Sequence, residues 1–142
     1  MTQQIDYQAA FKSMPGAVAL LSPDLVILDV SDGYLDAAGR RVDDIVGRHI
    51  LEAFPVNPRD PGDTGPRDLQ ASLEAVLANG MPDFIDPTRY DVEDPGRPGE
   101  FEERYWTMAN VPVCDVSGQI CMIVHIAQEV TNLMHAVRST NA

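Results

Sequence analysis

The groups in this sequence able to do acid–base, nucleophilic or metal chemistry are few. They are His49, His125 and His135, Cys114 and Cys121, and the adjacent carboxylates Glu102 and Glu103 in the stretch FEERYWTMANVPV, residues 101–113. The same stretch holds Arg104, Tyr105, Trp106 and Asn110, which would make a catalytic constellation if their side chains converged. Its composition is that of a strand, so Glu102 and Glu103 point to opposite faces and cannot work as a paired general acid and base. The histidines and cysteines have no metal-ligand spacing. No Ser/His/Asp arrangement and no phosphate-cradling glycine loop emerges, and His135 falls on a terminal helical segment and reads as solvated. The chain is therefore expected to carry no catalytic residues and no metal.

The elements that position these groups can be read in order. Asp6 can cap a short helix over residues 6–14, with Tyr7, Ala10, Phe11 and Met14 on one face and Pro15-Gly16 as its stop. Two apolar runs, 17–21 and 25–30, are broken by Ser22-Pro23-Asp24 and predict paired strands. Ser31 is placed to cap a helix that Gly39 ends, and short helical pieces follow over 42–46 and 49–54. Residues 55–66, PVNPRDPGDTGP, predict a long loop, mobile or lid-forming. The clearest helix follows, with Leu69, Leu73, Val76 and Leu77 as its stripe and Asn79-Gly80 as its exit. Strands are predicted over 84–92, 101–114 and 119–128, and Thr131 should cap a final helix carrying Leu133, Met134 and Val137.

The last two strands form a hairpin around Asp115-Val116-Ser117-Gly118. If Asp115 faces Gly118, then Asn110 faces Ile123, Met108 faces His125 and Trp106 faces Ala127. These residues share one face with Arg104, Pro112 and Cys121. The other face, Tyr105, Thr107, Ala109, Val111 and Val113 opposite Ile120, Met122, Val124 and Ile126, is almost wholly apolar. Cys114 and Cys121 are then diagonal, about 7–8 Å apart, too far for an unstrained bridge, and read as packing residues. The mixed face has two readings: a filled core whose polar groups bond to nearby backbone, or a pocket with apolar walls and a few placed polar groups. The apolar face needs a cover, from the N-terminal helix or a second subunit.

At 142 residues the chain has the size of one domain. Its 22 acidic against 10 basic residues give a formal charge of −12, which repels phosphate backbones and anionic lipid. No apolar run approaches the roughly 20 residues that span a bilayer. Nor does the N-terminal stretch read as a signal peptide, and two cysteines do not make a disulfide framework. A cytoplasmic chain without nucleic-acid or membrane contacts is expected.

Taken together, LVILDVSDGYL (25–35), VDDIVGRHILEAFP (42–55), SLEAVLANG (72–80), RYD (89–91), FEERYWTMANVPV, DVSG and IVHIAQEVT (123–131) resemble a PAS domain, closest to sensor modules of bacterial histidine kinases. The likeness covers almost all of residues 5–131. Where the family often has Asp-Val-Thr, this chain has Glu129-Val130-Thr131. The resemblance implies an α+β PAS fold: a five-stranded antiparallel sheet with helices packed on one face, plus flanking N- and C-terminal helices. Residues 1–15 would form the N-terminal flanking helix, 16–130 the core, and 131–142 the start of a C-terminal signalling helix.

The function implied is that of a sensory domain, the sensor part of a two-component histidine kinase. It would relay ligand or dimer state through the terminal helix to an output domain. An unliganded dimerisation and protein-interaction module is the alternative, and a small enzyme with an α+β pocket is a third. Candidate ligand contacts are Arg104, Trp106, Met108, Asn110, Ile123 and His125 from the hairpin. Tyr34, Phe54, Leu73 and Tyr90 join them from the elements around it. An anionic or carbonyl-bearing ligand would suit Arg104, although Glu102 lies on the same face and can neutralise it. Homodimer contacts are expected from Tyr7, Phe11 and Met14 on the first helix and from Tyr105, Val111, Met122 and Val124 on the apolar face. No cofactor is predicted beyond an unidentified small molecule. Haem would need an axial histidine that residues 67–80 lack, and flavin photochemistry a cysteine that residues 42–54 lack.

Overall fold

A computed structural model describes residues 3–141; the outermost residues of the two expected flanking segments, 1–2 and 142, lie outside the described residues. In chain order the elements are α1 (Tyr7–Lys12), β1 (Ala17–Leu21), β2 (Ile27–Val30), α2 (Asp32–Ala38), α3 (Val42–Ile45), α4 (Ile50–Ala53) and α5 (Gly65–Asn79). They continue with β3 (Asp83–Arg89), β4 (Val92–Glu93), β5 (Phe101–Glu102), β6 (Tyr105–Cys114), β7 (Ile120–Glu129) and α6 (Thr131–Asn141). Five strands form one antiparallel sheet in the order β2-β1-β7-β6-β3. The fold is therefore α+β with the five-stranded sheet that the sequence predicts. Helices α2 to α5 supply Tyr34, Ile45, Ile50, Leu69, Leu73 and Val76 to a core shared with the inward residues of the sheet.

Local chemistry sets the helix ends. The Asp6 carboxylate accepts from the Ala9 amide at 2.9 Å, and the Ser31 hydroxyl accepts from Tyr34 N at 3.2 Å. Ser31 also accepts from Val18 N and donates to the Gly16 carbonyl, so one buried hydroxyl joins the start of α2 to β1. Thr131 does otherwise than predicted. Its hydroxyl accepts from the Tyr105 amide at 3.0 Å, a tertiary bond that docks α6 on β6.

Three strand boundaries differ from the sequence expectation. Strand β2 begins at Ile27, because Leu25 adopts φ 67° to close the turn after β1. The segment expected over 84–92 divides into β3 and β4, and the register of β3 on β6 shifts between Ile85 and Thr88, around Pro87, which has no amide hydrogen to give. The segment expected over 101–114 breaks at Glu103-Arg104, so that β5 pairs with β4 as a separate ribbon.

The hairpin register also differs, by two residues. His125 lies opposite Asn110, Ala127 opposite Met108 and Glu129 opposite Trp106. Asp115 N donates to Gln119 O at 2.8 Å, and Gly118, with φ 88°, takes the left-handed position of a three-residue loop. That moves the pairing by one residue. A bulge at Cys121 moves it by another, since Cys114 pairs with Ile120 but Val113 with Met122. One slip alone would have turned every β7 side chain to the wrong face, whereas two restore the faces. Ile120, expected on the outer face, instead packs against the core. Both cysteines, expected to pack, are exposed at the hairpin end.

The proline-rich loop is tied down rather than loose. Asp63 accepts from the amides of Asn57 and Asp91, and Arg89 reaches Asp60 at 2.7 Å and Asp91 at 2.9 Å. Burial pushes the Asp63 carboxyl above its ordinary value, while the Asp91 hydrogen bond, opposed by partial desolvation, raises that of the Arg89 guanidinium.

Candidate ligand cavity and its link to the terminal helix

Between α2, α4, α5 and the inner face of the sheet lies a cavity of about 50 Å³, several times the roughly 10–15 Å³ that one water needs. Small residues leave this space: Ala37 and Ala38 on α2, Ala17 on β1 and Ala127 on β7. Its walls are Tyr34, Phe54, Tyr90, Trp106 and Met108. Tyr34 meets Phe54 edge-on at 5.9 Å. Two wall residues are fixed through their polar ends: Tyr90 Oη donates to the Phe54 carbonyl at 2.6 Å, and Trp106 Nε1 donates to the Tyr90 carbonyl at 2.9 Å. Gly65 supports Tyr90 from behind, where a Cβ would stand 2.4 Å from the ring.

At the floor sits a buried polar relay. His125 Nδ1 is 2.8 Å from Asn110 Oδ1, and Asn110 Nδ2 donates to Ser72 Oγ at 2.9 Å. All three residues are buried. Desolvation depresses the His125 pKa to about 4, so the imidazole is neutral near neutral pH. Burial likewise raises the Tyr34 and Tyr90 phenols above their ordinary value, so both stay protonated.

Of the ten candidate contacts, Tyr34, Phe54, Tyr90, Trp106, Met108 and His125 line the cavity. Leu73, Asn110 and Ile123 are buried behind this lining. Arg104 lies outside. It donates to the Ala37 carbonyl at 3.1 Å and pairs with Glu102 at 3.0 Å and Glu129 at 3.3 Å, over a groove bordered by Glu93 and Asp94. Its charge is neutralised there, as the position of Glu102 suggested, away from the cavity lining. Sequence reasoning missed the alanines, because a small side chain carries no sign of whether its neighbours close over it. Asp91, also in the lining, is held by Arg89 Nε and Asn57 Nδ2, both at 2.9 Å.

The expected dimer contacts are scattered in exposure. Tyr7 and Met14 are exposed, and Phe11, Val111, Met122 and Val124 are half-buried. Tyr105 is buried by its own α6. Arg138 lies 4.8 Å from the centre of its ring and donates to Tyr105 Oη at 2.7 Å, and Tyr105 Oη in turn donates to Glu103 at 2.9 Å. The Val130 amide donates to the Tyr105 carbonyl at 2.8 Å.

Among the described residues no group of His, Cys, Asp and Glu could hold a metal ion, and no helix is long and apolar enough to cross a membrane. No curated protein matches the chain. Solved structures do. The PAS domain of a Colwellia psychrerythraea protein superposes with a TM-score of 0.68 at 16% identity, covering 89% of this chain and 95% of that one. The PAS domain from Bordetella pertussis BvgS gives 0.63 at 24% identity, covering 95% and 91%. A sensory box sensor histidine kinase from Vibrio cholerae gives 0.54 at 19% identity, covering 88% and 89%. At these identities the likeness is one of fold. A family model described as PAS fold matches residues 11–134, and with the sheet order above it places this chain in the PAS-fold family.

Proposed function

We propose that this domain is the sensor part of a bacterial two-component histidine kinase, a binding and relay module rather than an enzyme. In this reading a small molecule occupies the inner cavity, and the change passes through α6 to an output domain. One observation carries the reading: Trp106, which walls the cavity, is adjacent in β6 to Tyr105, which holds α6. Any shift of β6 on ligand entry bears on both. The neighbouring fold of a sensor histidine kinase supports the reading by analogy.

A cytoplasmic homodimer belongs to the same proposal, with Tyr7, Phe11 and Met14 joining Val111, Met122 and Val124 in the contact. Leu133 and Val137, four apart and exposed on α6, supply a stripe for a second helix. The charge of −12 disfavours nucleic acid and anionic membrane as partners. Native mass spectrometry of freshly purified protein, with light scattering, tests the proposal: a retained small molecule and a dimer mass are expected. Repeated preparations that stay empty, with Ala127→Leu leaving the parent protein's signalling unchanged, would contradict it.

The outer face of the sheet favours a second reading. Ile126 and Phe84 are exposed there beside half-buried aliphatics, as suits a dimerisation module whose cavity is only a void. Under that reading, filling the cavity leaves output unchanged but breaking the dimer abolishes it.

A further inference from the structure

Five polar side chains reach the cavity, and three of them are already satisfied by the protein. Tyr90 Oη, Trp106 Nε1 and the Asp91 carboxylate have the partners described above. Two atoms remain. Neither Tyr34 Oη nor His125 Nε2 has a hydrogen-bond partner among the described residues, although both residues are more than nine-tenths buried. Among the described residues, the polar side-chain atom that is both fully enclosed and unpartnered is Arg104 Nε, outside the cavity. Tyr34 Oη and His125 Nε2 are therefore open to the cavity. Their rings meet edge-on, with centres 6.0 Å apart, in the lining of the same cavity.

The relay behind His125 fixes what Nε2 can do. Asn110 donates one amide hydrogen to Ser72 Oγ and turns Oδ1 to the imidazole. An amide oxygen only accepts, so the proton of the neutral ring stands on Nδ1, and Nε2 presents a lone pair. The hydrogen-bond pattern of the cavity is thus one obligate acceptor, His125 Nε2, and one hydroxyl, Tyr34 Oη, in an otherwise apolar lining without a free charge.

We infer that the cavity selects a small, uncharged, mainly apolar compound carrying an N–H or O–H donor, which His125 Nε2 accepts, beside a polar atom bonded to Tyr34 Oη. This inference rests on the ligand-binding reading above and narrows it from any small molecule to donor-bearing neutral ones. An anion finds no donor cation there, since Arg104 is paired outside. A cation or carboxylate would carry its charge into an apolar site at large cost. A ring of the same shape without a donor leaves Nε2 buried and unpaired, which costs affinity rather than merely failing to add any.

Pyrrole and furan are near-isosteric five-membered rings that differ in the N–H. Titrating each into the 142-residue chain, followed by the Trp106 indole cross-peak, measures the discrimination. Pyrrole is expected to bind roughly ten-fold more tightly than furan, with the gap collapsing in His125→Phe. In parallel, long-range ¹H–¹⁵N spectra of the unmutated protein read the tautomer directly, so the inference does not depend on that variant folding. A proton on Nδ1 of His125 is expected. Equal binding of the two rings, or a proton on Nε2, overturns the donor requirement while leaving ligand binding intact. If neither ring binds at millimolar concentration, the inference fails, and the ligand-binding reading falls with it only where freshly purified protein is also repeatedly empty.

Discussion

Trp106 and Tyr105 are consecutive residues of β6 that face opposite sides of the sheet, one walling the inner cavity and the other gripping the terminal helix. Side-chain alternation makes this the shortest connection a sheet can offer between a cavity on one face and a segment on the other. The grip is built from few contacts: the Thr131 hydroxyl, the Val130 amide, the His135 ring edge-on to Tyr105 at 6.4 Å, and Arg138 over the Tyr105 ring and 3.8 Å from Glu103. Arg138 is itself half-exposed. A helix held this lightly can be released without unfolding the domain.

Arg138→Ala is the direct probe of that grip. An exposed cation–π and ion-pair contact contributes about 0.5–1 kcal/mol, so the urea midpoint should barely move. Amide exchange in residues 131–141 should nevertheless accelerate several-fold. A large loss of global stability would show instead that α6 is part of the core.

The buried imidazole predicts a pH dependence. His125 has a folded pKa of about 4 against about 6.5 in an unfolded chain. Between those values the unfolded chain takes up a proton that the folded chain refuses. Stability therefore falls as pH drops from about 6.5, by roughly 3 kcal/mol at pH 4 and below. Urea titrations at pH 7, 6, 5 and 4.5 should show this slope in the native sequence, and a shallower one in His125→Gln. Parallel slopes would place the imidazole in contact with water.

The tied loop makes its own prediction. Arg89→Ala leaves the Asp91 carboxylate, which is 2% exposed, without its cation. Breaking a buried pair in this way costs about 3–5 kcal/mol. Thermal denaturation should show it as a large drop in Tm, while Arg97→Ala, on a pair exposed at both ends, should change Tm little.

The proposed dimer can be separated from the fold. Val124→Asp places a charge on the half-buried outer face, opposite Val111. Light scattering should then report a monomer whose circular dichroism is unchanged. A native protein that is already monomeric would remove this part of the reading.

Much of the fold was legible because local chemistry and tertiary need agree. Asp6 and Ser31 cap the helices they were expected to cap, and β1 has the predicted limits. The hairpin faces were also readable, but the register was not. Asp-x-x-Gly can close a four-residue turn or supply the left-handed residue of a longer loop, and the bulge at Cys121 has no local signature. That two-residue difference is what sets Asn110 opposite His125 and makes the relay. Arg104 shows the complementary limit: alternation gave its face, but not that Ala37 O and two glutamates would draw it out of the cavity. Burial of Tyr105 was illegible for a similar reason, since its cover arrives from a helix at the far end of the chain.

The central claim is that the state of the cavity reaches α6 through β6. Amide exchange of residues 131–141, compared between the native chain and Ala127→Leu, tests it most directly, because leucine at 127 fills the space beside Trp106 without touching α6. The account predicts at least a several-fold change in α6 exchange, accompanied by a shift of the Trp106 indole resonance. Unchanged α6 exchange, with the indole resonance clearly shifted, would contradict it.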